Sequence, residues 1–183
     1  DLGYYDIRLT EVCKQQAEMA REAGITAFCY YHYWFGKGKM LLHEPIEWML
    51  ESGQPDMPFC ICWANHKWYN KTWNAGRSVL DKKELIGIEY GDEADWRLHF
   101  ESLLPAFRSE RYYKIDGRLV FVIYRIQDIP NVEDFKRVWN EQALKYGLTE
   151  FYFINYIDDT AKLNDPIQNS CEKKIVMLKA NID

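Results

Sequence analysis

The side chains best suited to chemistry fall in three short segments. These are Tyr30-Tyr31-His32-Tyr33-Trp34, then Trp63-Ala64-Asn65-His66-Lys67-Trp68 running on to Lys71-Thr72-Trp73-Asn74, and finally Tyr124-Arg125. His32 and His66 titrate near neutral pH and can serve as general base or acid, or as hydrogen-bond partners of hydroxyl groups. Each also suits a purely structural hydrogen bond. Arg125 and Lys67 carry the positive charge that would steady a departing anion. Trp63, Trp68 and Trp73 recur every five residues through a polar stretch, so no single strand face or helical stripe takes all three. Some must therefore stay partly exposed. Beside Asn65, Asn70 and Asn74 they have the make-up of a saccharide cleft, with flat aromatic platforms and amides that read hydroxyls. The alternative is a loop folded over on its own tryptophans. The candidate binding set is Tyr31, Tyr33, Trp34, Trp63, Asn65, Trp68, Trp73 and Tyr124, with His66, His32 and Arg125 as candidate catalytic residues.

A glycosidase needs two carboxyl groups across the scissile bond. The segment 63–74 contains neither Asp nor Glu. Asp56, Asp81 and Glu84 are the nearest in sequence, while Glu89, Asp128, Asp158 and Asp159 lie near other strand ends or their loops; most read as solvated surface charges. Two histidines do not make a metal site, and neither a metal nor a cofactor is expected.

The elements that must carry these residues alternate. Residues 11–22 are rich in helix formers, with Thr10 available as N-cap and Gly24 as the stop. Residues 25–35 have strand composition and close at Gly36-Lys37-Gly38. A helix over 44–52 and a strand over 57–64 follow, separated by Gly53-Gln54-Pro55-Asp56. Next come a helix over 92–108, shortened or kinked by Pro105, and an apolar strand over 118–125. A helix over 132–146, with Val132, Phe135, Val138, Trp139 and Leu144 as its buried side, leads to strands over 151–157 and 174–178. Unbroken apolar strands alternating with helices signal parallel βα repeats covered on both sides. The fold class is α/β, a (β/α)8 TIM-barrel-like chain, and four or five strands make only part of a barrel, which needs about 250 residues. A doubly wound open sheet also suits the length, but no candidate strand is followed by Gly-x-Gly-x-x-Gly and no Gly-x-x-x-x-Gly-Lys-Ser/Thr loop occurs. In either fold the working residues collect at the carboxyl ends of the strands, where the three segments above lie.

With 183 residues, 48% of them hydrophobic, the chain is expected to form a single domain over 1–183. Aromatic residues make up 16%, including 13 Tyr and 7 Trp, an excess that suits a half-wet cleft as well as a large aromatic core. A net charge of −5 argues against nucleic acid as a partner. No apolar run is long enough to span a bilayer and no leader opens the chain, so stable membrane insertion is not expected. Five cysteines, an odd number without framework spacing, favour a reducing, cytoplasmic location. Cys60 and Cys62 point to the same side of a strand and read as core packing, since only His66 lies near enough to extend them into a metal site. The opening Asp1-Leu2-Gly3 does not look like a native start, and the chain reads as part of a longer protein.

Several ordered motifs carry a resemblance: LGYYDIR (2–8), KQQAEMAREAGI (14–25), FCYYHYWF (28–35), PFCICWAN (58–65) and the long run 88–125. Together they resemble the WbsX-like glycosyltransferases of bacterial polysaccharide gene clusters, a family related to the glycoside hydrolase family 99 endo-mannosidases. The resemblance spans nearly the whole chain. It implies a (β/α)8 barrel of which this chain is the middle, with a further strand before LGYYD and a further stretch after the C-terminus. It also implies Trp-Ala-Asn-Glu-Asn-Trp followed by Arg-Arg-Trp, where this sequence has Trp63-Ala64-Asn65-His66-Lys67-Trp68 and Lys71-Thr72-Trp73. His66 thus stands where the family pattern has a carboxylate, which counts against a two-carboxylate mechanism in this loop. Three functions follow. The first is a glycosyltransferase making bacterial surface polysaccharide or lipopolysaccharide from a sugar donor or oligosaccharide, with His66 or His32 as base and Arg125 or Lys67 at the departing phosphate. The second is an endo-acting hydrolase with a carboxylate pair, and the third a saccharide-binding barrel without catalysis.

Overall fold

The structure, a computed structural model, describes residues 4–70, 83–157 and 173–176. In chain order these form α1 (Thr10–Glu22), β1 (Phe28–Trp34), β2 (Met40–Leu41), α2 (Glu44–Ser52), β3 (Phe59–Trp63), β4 (Trp68–Tyr69) and β5 (Glu84–Ile86). There follow α3 (Glu93–Phe107), β6 (Lys114–Ile115), β7 (Arg118–Ile123), a 3-10 turn (Ile126–Asp128), α4 (Val132–Lys145), β8 (Phe151–Ile157) and β9 (Lys173–Val176).

Strands β1, β3, β7, β8 and β9 are parallel and lie side by side in chain order. β2 adds antiparallel to the end of β1 and β6 to the start of β7, while β4 and β5 form a separate small ladder. Each new parallel strand is laid on the same edge. A doubly wound sheet reverses direction at a switch point, and this one does not.

Residue alternation gives the sheet two chemically different faces. Phe59, Ile61, Trp63, Leu119, Phe121, Ile123, Phe151 and Phe153 pack with Ile46 and Met49 of α2, Trp96, Phe100 and Phe107 of α3, and Phe135, Val138 and Trp139 of α4. α1 joins the same side, since its Ala17 and Ala20 pack with Met57 and Phe28, and Phe28 is in register with Phe59. Cys60, Cys62, Val120, Val122, Tyr152 and Ile154 form the opposite face, to which no described helix contributes. Coverage on both sides, as the sequence suggests, is therefore not what the described residues show. Helices on one face and strands added in one direction are the arrangement of a barrel wall, here an open arc rather than a closed ring.

Local chemistry explains most element ends. The Asp92 carboxylate accepts hydrogen bonds from the Ala94 and Asp95 amides and caps α3, with Glu93 and Asp95 favouring the positive end of the helix. Pro105 sits in the last turn, and α3 stops two residues later at Phe107. Thr10 does not cap α1: Leu9 occupies that position without a side-chain bond, and Thr10 is the first helical residue. In α4 the buried positions are Phe135, Val138, Trp139, Gln142 and Ala143, whereas Leu144 is exposed. At 100° per residue Leu144 lies about 140° around the helix from Trp139, so the stripe passes it by.

Trp139 is fully buried, lies 4.4 Å from Phe121 and 4.8 Å from Phe135 between ring centroids, and donates its indole N–H to the Trp96 carbonyl at 3.1 Å. Trp139→Ala is expected to cost about 3–5 kcal/mol of stability. Leu144→Ala should change it by less than about 0.5 kcal/mol. Urea denaturation of the two variants checks both.

Candidate functional site

Side chains at the carboxyl ends of the strands on the helix-free face form a continuous aromatic band. Trp68 of β4 meets Tyr33 edge-on at 5.3 Å; Tyr33 is 6.4 Å from Tyr31, and Tyr31 6.2 Å from Tyr124. Tyr124 stacks on Tyr156 at 4.4 Å and touches the His66 ring at 5.3 Å. The strand register makes the band: Tyr31 lies opposite Cys62, and Val122, two residues before Tyr124, lies opposite Ile154, two before Tyr156. Tyr31 is 49% exposed, so the band presents ring faces to solvent. Burial pushes the Tyr31 phenol up to about 12 and raises Tyr33 as well, which keeps both as O–H donors at neutral pH.

A polar cleft of about 820 Å³ adjoins this band, lined by His66, Lys67, Trp68, Tyr90, Arg125 and Asp128 among others. Its cations are partnered: the Lys67 ammonium lies 3.0 Å from Glu84, and the Arg125 guanidinium 3.8 Å from Asp128. Asp128 is the only carboxylate among the described residues lining it. Gly36 helps to shape this end of the sheet. Its φ is +95°, and a Cβ there would collide with the Glu89 carbonyl, so a glycine allows the segment leading to Tyr90 to close over the end of β1.

Asn65 sets the geometry between the two strands. Its side-chain oxygen accepts the Arg125 N–H at 2.7 Å, and its amide donates to the Arg125 carbonyl at 2.7 Å. Tyr90 donates its hydroxyl to the Asn65 carbonyl at 3.1 Å. The side chain is wholly buried and spent on backbone, so it reads the end of β7 rather than a sugar hydroxyl. This clamp ties the exits of β3 and β7 together, which holds His66 and Arg125 at the same cleft.

Three more sequence-predicted residues sit on the helix side of the sheet, away from the cleft. Trp63 is buried and donates its indole N–H to the Trp34 carbonyl at 3.0 Å. Trp34 is buried, donates to Asp95 at 3.2 Å and stacks on His99 at 4.8 Å. His32 is buried with its Nε2 3.0 Å from the Nε2 of His99. One ring nitrogen of that pair must donate and the other accept. Even-numbered positions of β1 face the helices, and that parity takes His32 and Trp34 off the exposed face. Tyr31, Tyr33, His66, Trp68, Tyr124 and Arg125 are thus brought together, while Trp73 lies outside the described residues.

Tyr90, His99 and Tyr156 join the site or its support without having been singled out, and Asp128, one of the carboxylates expected near strand ends, lines the cleft. Alternation in FYFINYI was the available signal for Tyr156, and the three-residue spacing of Arg125 and Asp128 the signal for the second pair. Among the described residues no three of His, Cys, Asp or Glu converge where a metal ion could sit. No described helix is long and apolar enough to cross a membrane.

The fold is that of an open segment of a (β/α) barrel wall. A solved "Glycoside hydrolase-like protein" superposes with a TM-score of 0.53 at 15% identity, over 86% of this chain and 46% of that one. Residues 1–182 match the family model of Glycosyltransferase WbsX, and the chain belongs to that family. It is also 33% identical over 153 residues to the uncharacterized protein WxcX from two strains of Xanthomonas campestris pv. campestris. That match covers 83% of this chain and only 21% of WxcX, so the chain spans about a fifth of the length of those relatives.

Burial lowers His32 to about 3 and His99 well below the ordinary 6.5; repulsion from His43 adds to it for His32, and repulsion from His32 for His99. The unfolded chain takes up protons below pH 6.5 that the folded chain refuses until about pH 3, so stability is full above 6.5 and falls as pH drops through that window. The slope is up to about 1.4 kcal/mol per pH unit for each histidine. Urea midpoints between pH 6.5 and 4.5 should show it, and His99→Phe should reduce it by roughly half. Asn65→Ala orphans the Arg125 N–H and carbonyl together and should cost about 2–4 kcal/mol. A denaturation midpoint equal to that of the parent chain would show that the clamp carries no weight.

Proposed function

We propose that this protein binds a saccharide along the aromatic band and transfers a glycosyl group to an acceptor hydroxyl during assembly of a bacterial surface polysaccharide. One observation carries the reading: a solvent-facing row of tyrosines on the helix-free face runs into a half-buried histidine at the rim of a polar cleft. Pyranose C–H faces stack on such rings, and phenol O–H groups bond to sugar hydroxyls. Membership of the Glycosyltransferase WbsX family supports the same class of substrate.

In this scheme His66 is the general base. It takes the proton of the acceptor hydroxyl while that oxygen attacks the anomeric carbon, and the bond from the anomeric carbon to the donor's leaving oxygen breaks. Arg125 steadies the departing anion; its ion pair with Asp128 is looser than that of Lys67 with Glu84 and yields more readily to a phosphate. Four free cysteines among the described residues support a reducing compartment, so the reaction is assigned to the cytoplasm.

Asp128 supports a second reading. It lines the same cleft as His66, and hydrolysis would use it to activate water. A glycan array, followed by tryptophan fluorescence titration with each retained glycan, tests the substrate class. Tyr31→Ala and Tyr124→Ala are each expected to weaken binding about tenfold. On a turned-over substrate His66→Ala should lower kcat by about 100-fold or more with KM nearly unchanged. Unimpaired turnover would remove His66 as base, and unimpaired turnover together with a dead Asp128→Asn variant would favour hydrolysis. Glycan binding without turnover of any donor or oligosaccharide would leave a binding barrel.

A further inference from the structure

Three cysteines that take no part in the saccharide site meet lower on the same face of the sheet. β1 and β3 run parallel with Cys29 opposite Cys60 and Tyr31 opposite Cys62, and alternation places all three cysteines on the helix-free side. Cys60 and Cys62 are buried in the cluster with Val120, Val122, Tyr152 and Ile154. Cys29 is exposed. All three are free thiols. Cys29 is therefore the exposed member of the group, with two buried cysteines on the strand beside it.

The neighbouring Cys60 and Cys62 thiols hold Cys29 well below the usual thiol range, and Cys29 in turn raises both of theirs. An S–H group directed at a neighbouring sulfur favours the anion there, and a thiolate is the form that attacks peroxides. The sheet also fixes the partner. Paired strands lie about 4.7–4.9 Å apart, inside the roughly 4.4–6.8 Å between Cα atoms that a disulfide accepts. Cys60 and Cys62, two residues apart on one extended strand, sit about 6.6 Å from each other, at the far limit of that range.

We infer that Cys29 is a peroxide-reactive thiol and that Cys60 resolves it to a disulfide joining β1 to β3. The Cys29 thiolate attacks one oxygen of hydrogen peroxide, the O–O bond breaks, and the second oxygen leaves as hydroxide, giving a sulfenic acid. The Cys60 sulfur then attacks the Cys29 sulfur; the S–O bond breaks, and the hydroxide leaves with the Cys60 proton as water. Two thiols lose two electrons in all, and one peroxide becomes two waters. This site does not depend on the saccharide reading.

Brief treatment of the folded chain with dilute hydrogen peroxide, then unfolding in iodoacetamide and mass analysis, tests it. The oxidised product should carry three alkylated cysteines of the five in the chain, and peptide mapping should find Cys29 joined to Cys60. Cys13, on α1, donates its thiol to the Ile7 carbonyl at 3.3 Å and serves as the internal control. Cys29 should be consumed roughly five- to tenfold faster than Cys13. Cys29→Ser should abolish the cross-link with far-UV circular dichroism unchanged, and Cys60→Ala should leave a Cys29 sulfenic acid that dimedone traps. Oxidation of Cys29 no faster than of Cys13, or a cross-link that excludes Cys29, overturns the assignment.

Discussion

Along β3 and β7 successive side chains must point to opposite faces of the sheet, and the two sets of residues that occupy those faces have opposite jobs. Phe59, Ile61, Trp63, Leu119, Phe121 and Ile123 supply bulk for the helices to pack against. Cys60, Cys62, Val120 and Val122, smaller and continued upward by Tyr124, leave a surface without helices. A shift of one residue in register would exchange the two sets and send the aromatic bulk away from α2, α3 and α4. The alternation therefore fixes where the helices dock, which face remains open, and which tyrosines can meet a ligand.

At the ends of the strands this constraint is held in place by buried polar groups. A buried amide that found no partner would cost about 1–3 kcal/mol, so Asn65 is tolerable only because Arg125 supplies both a donor and an acceptor. The same logic applies to His32 and His99, which remain neutral and share one hydrogen bond in a box of Trp34, Trp63 and Trp139 rings. These groups do not reach the cleft. They fix the backbone from which His66 and Arg125 do, and precision in a site comes from such support.

The open face then divides by height. Its upper part, at the carboxyl ends, carries hydroxylated rings and the charged pair of the polar cleft; its lower part carries thiols. Parallel barrels place chemistry at the carboxyl ends because strand exits and the following loops are free there to supply polar side chains without disturbing the ladder. Under the proposed function, recognition of a ring-shaped polar substrate and the chemistry performed on it rest on different residues.

Much of this was legible in the chain itself. Apolar runs separated by helix-forming stretches mark the βα alternation, strand parity places Cys60 and Cys62 on one side, and the motif order from LGYYDIR to the run ending in Tyr124-Arg125 identifies the family. Other features depended on which face meets the helices, on register and on through-space partners, none of which a one-dimensional pattern contains. His32 and His66 look equivalent as strand-end histidines, yet one is buried against His99, 67 residues away, and the other lies at the cleft. Asn65 looks like a hydroxyl reader until Arg125, 60 residues further on, takes up its amide. The sequence by itself determined the elements, their order and the aromatic supply, because these follow from local propensity and periodicity. Tertiary structure alone decided which polar groups are spent on the protein and which are left for a ligand, because burial and hydrogen-bond pairing are set by residues far apart in the chain.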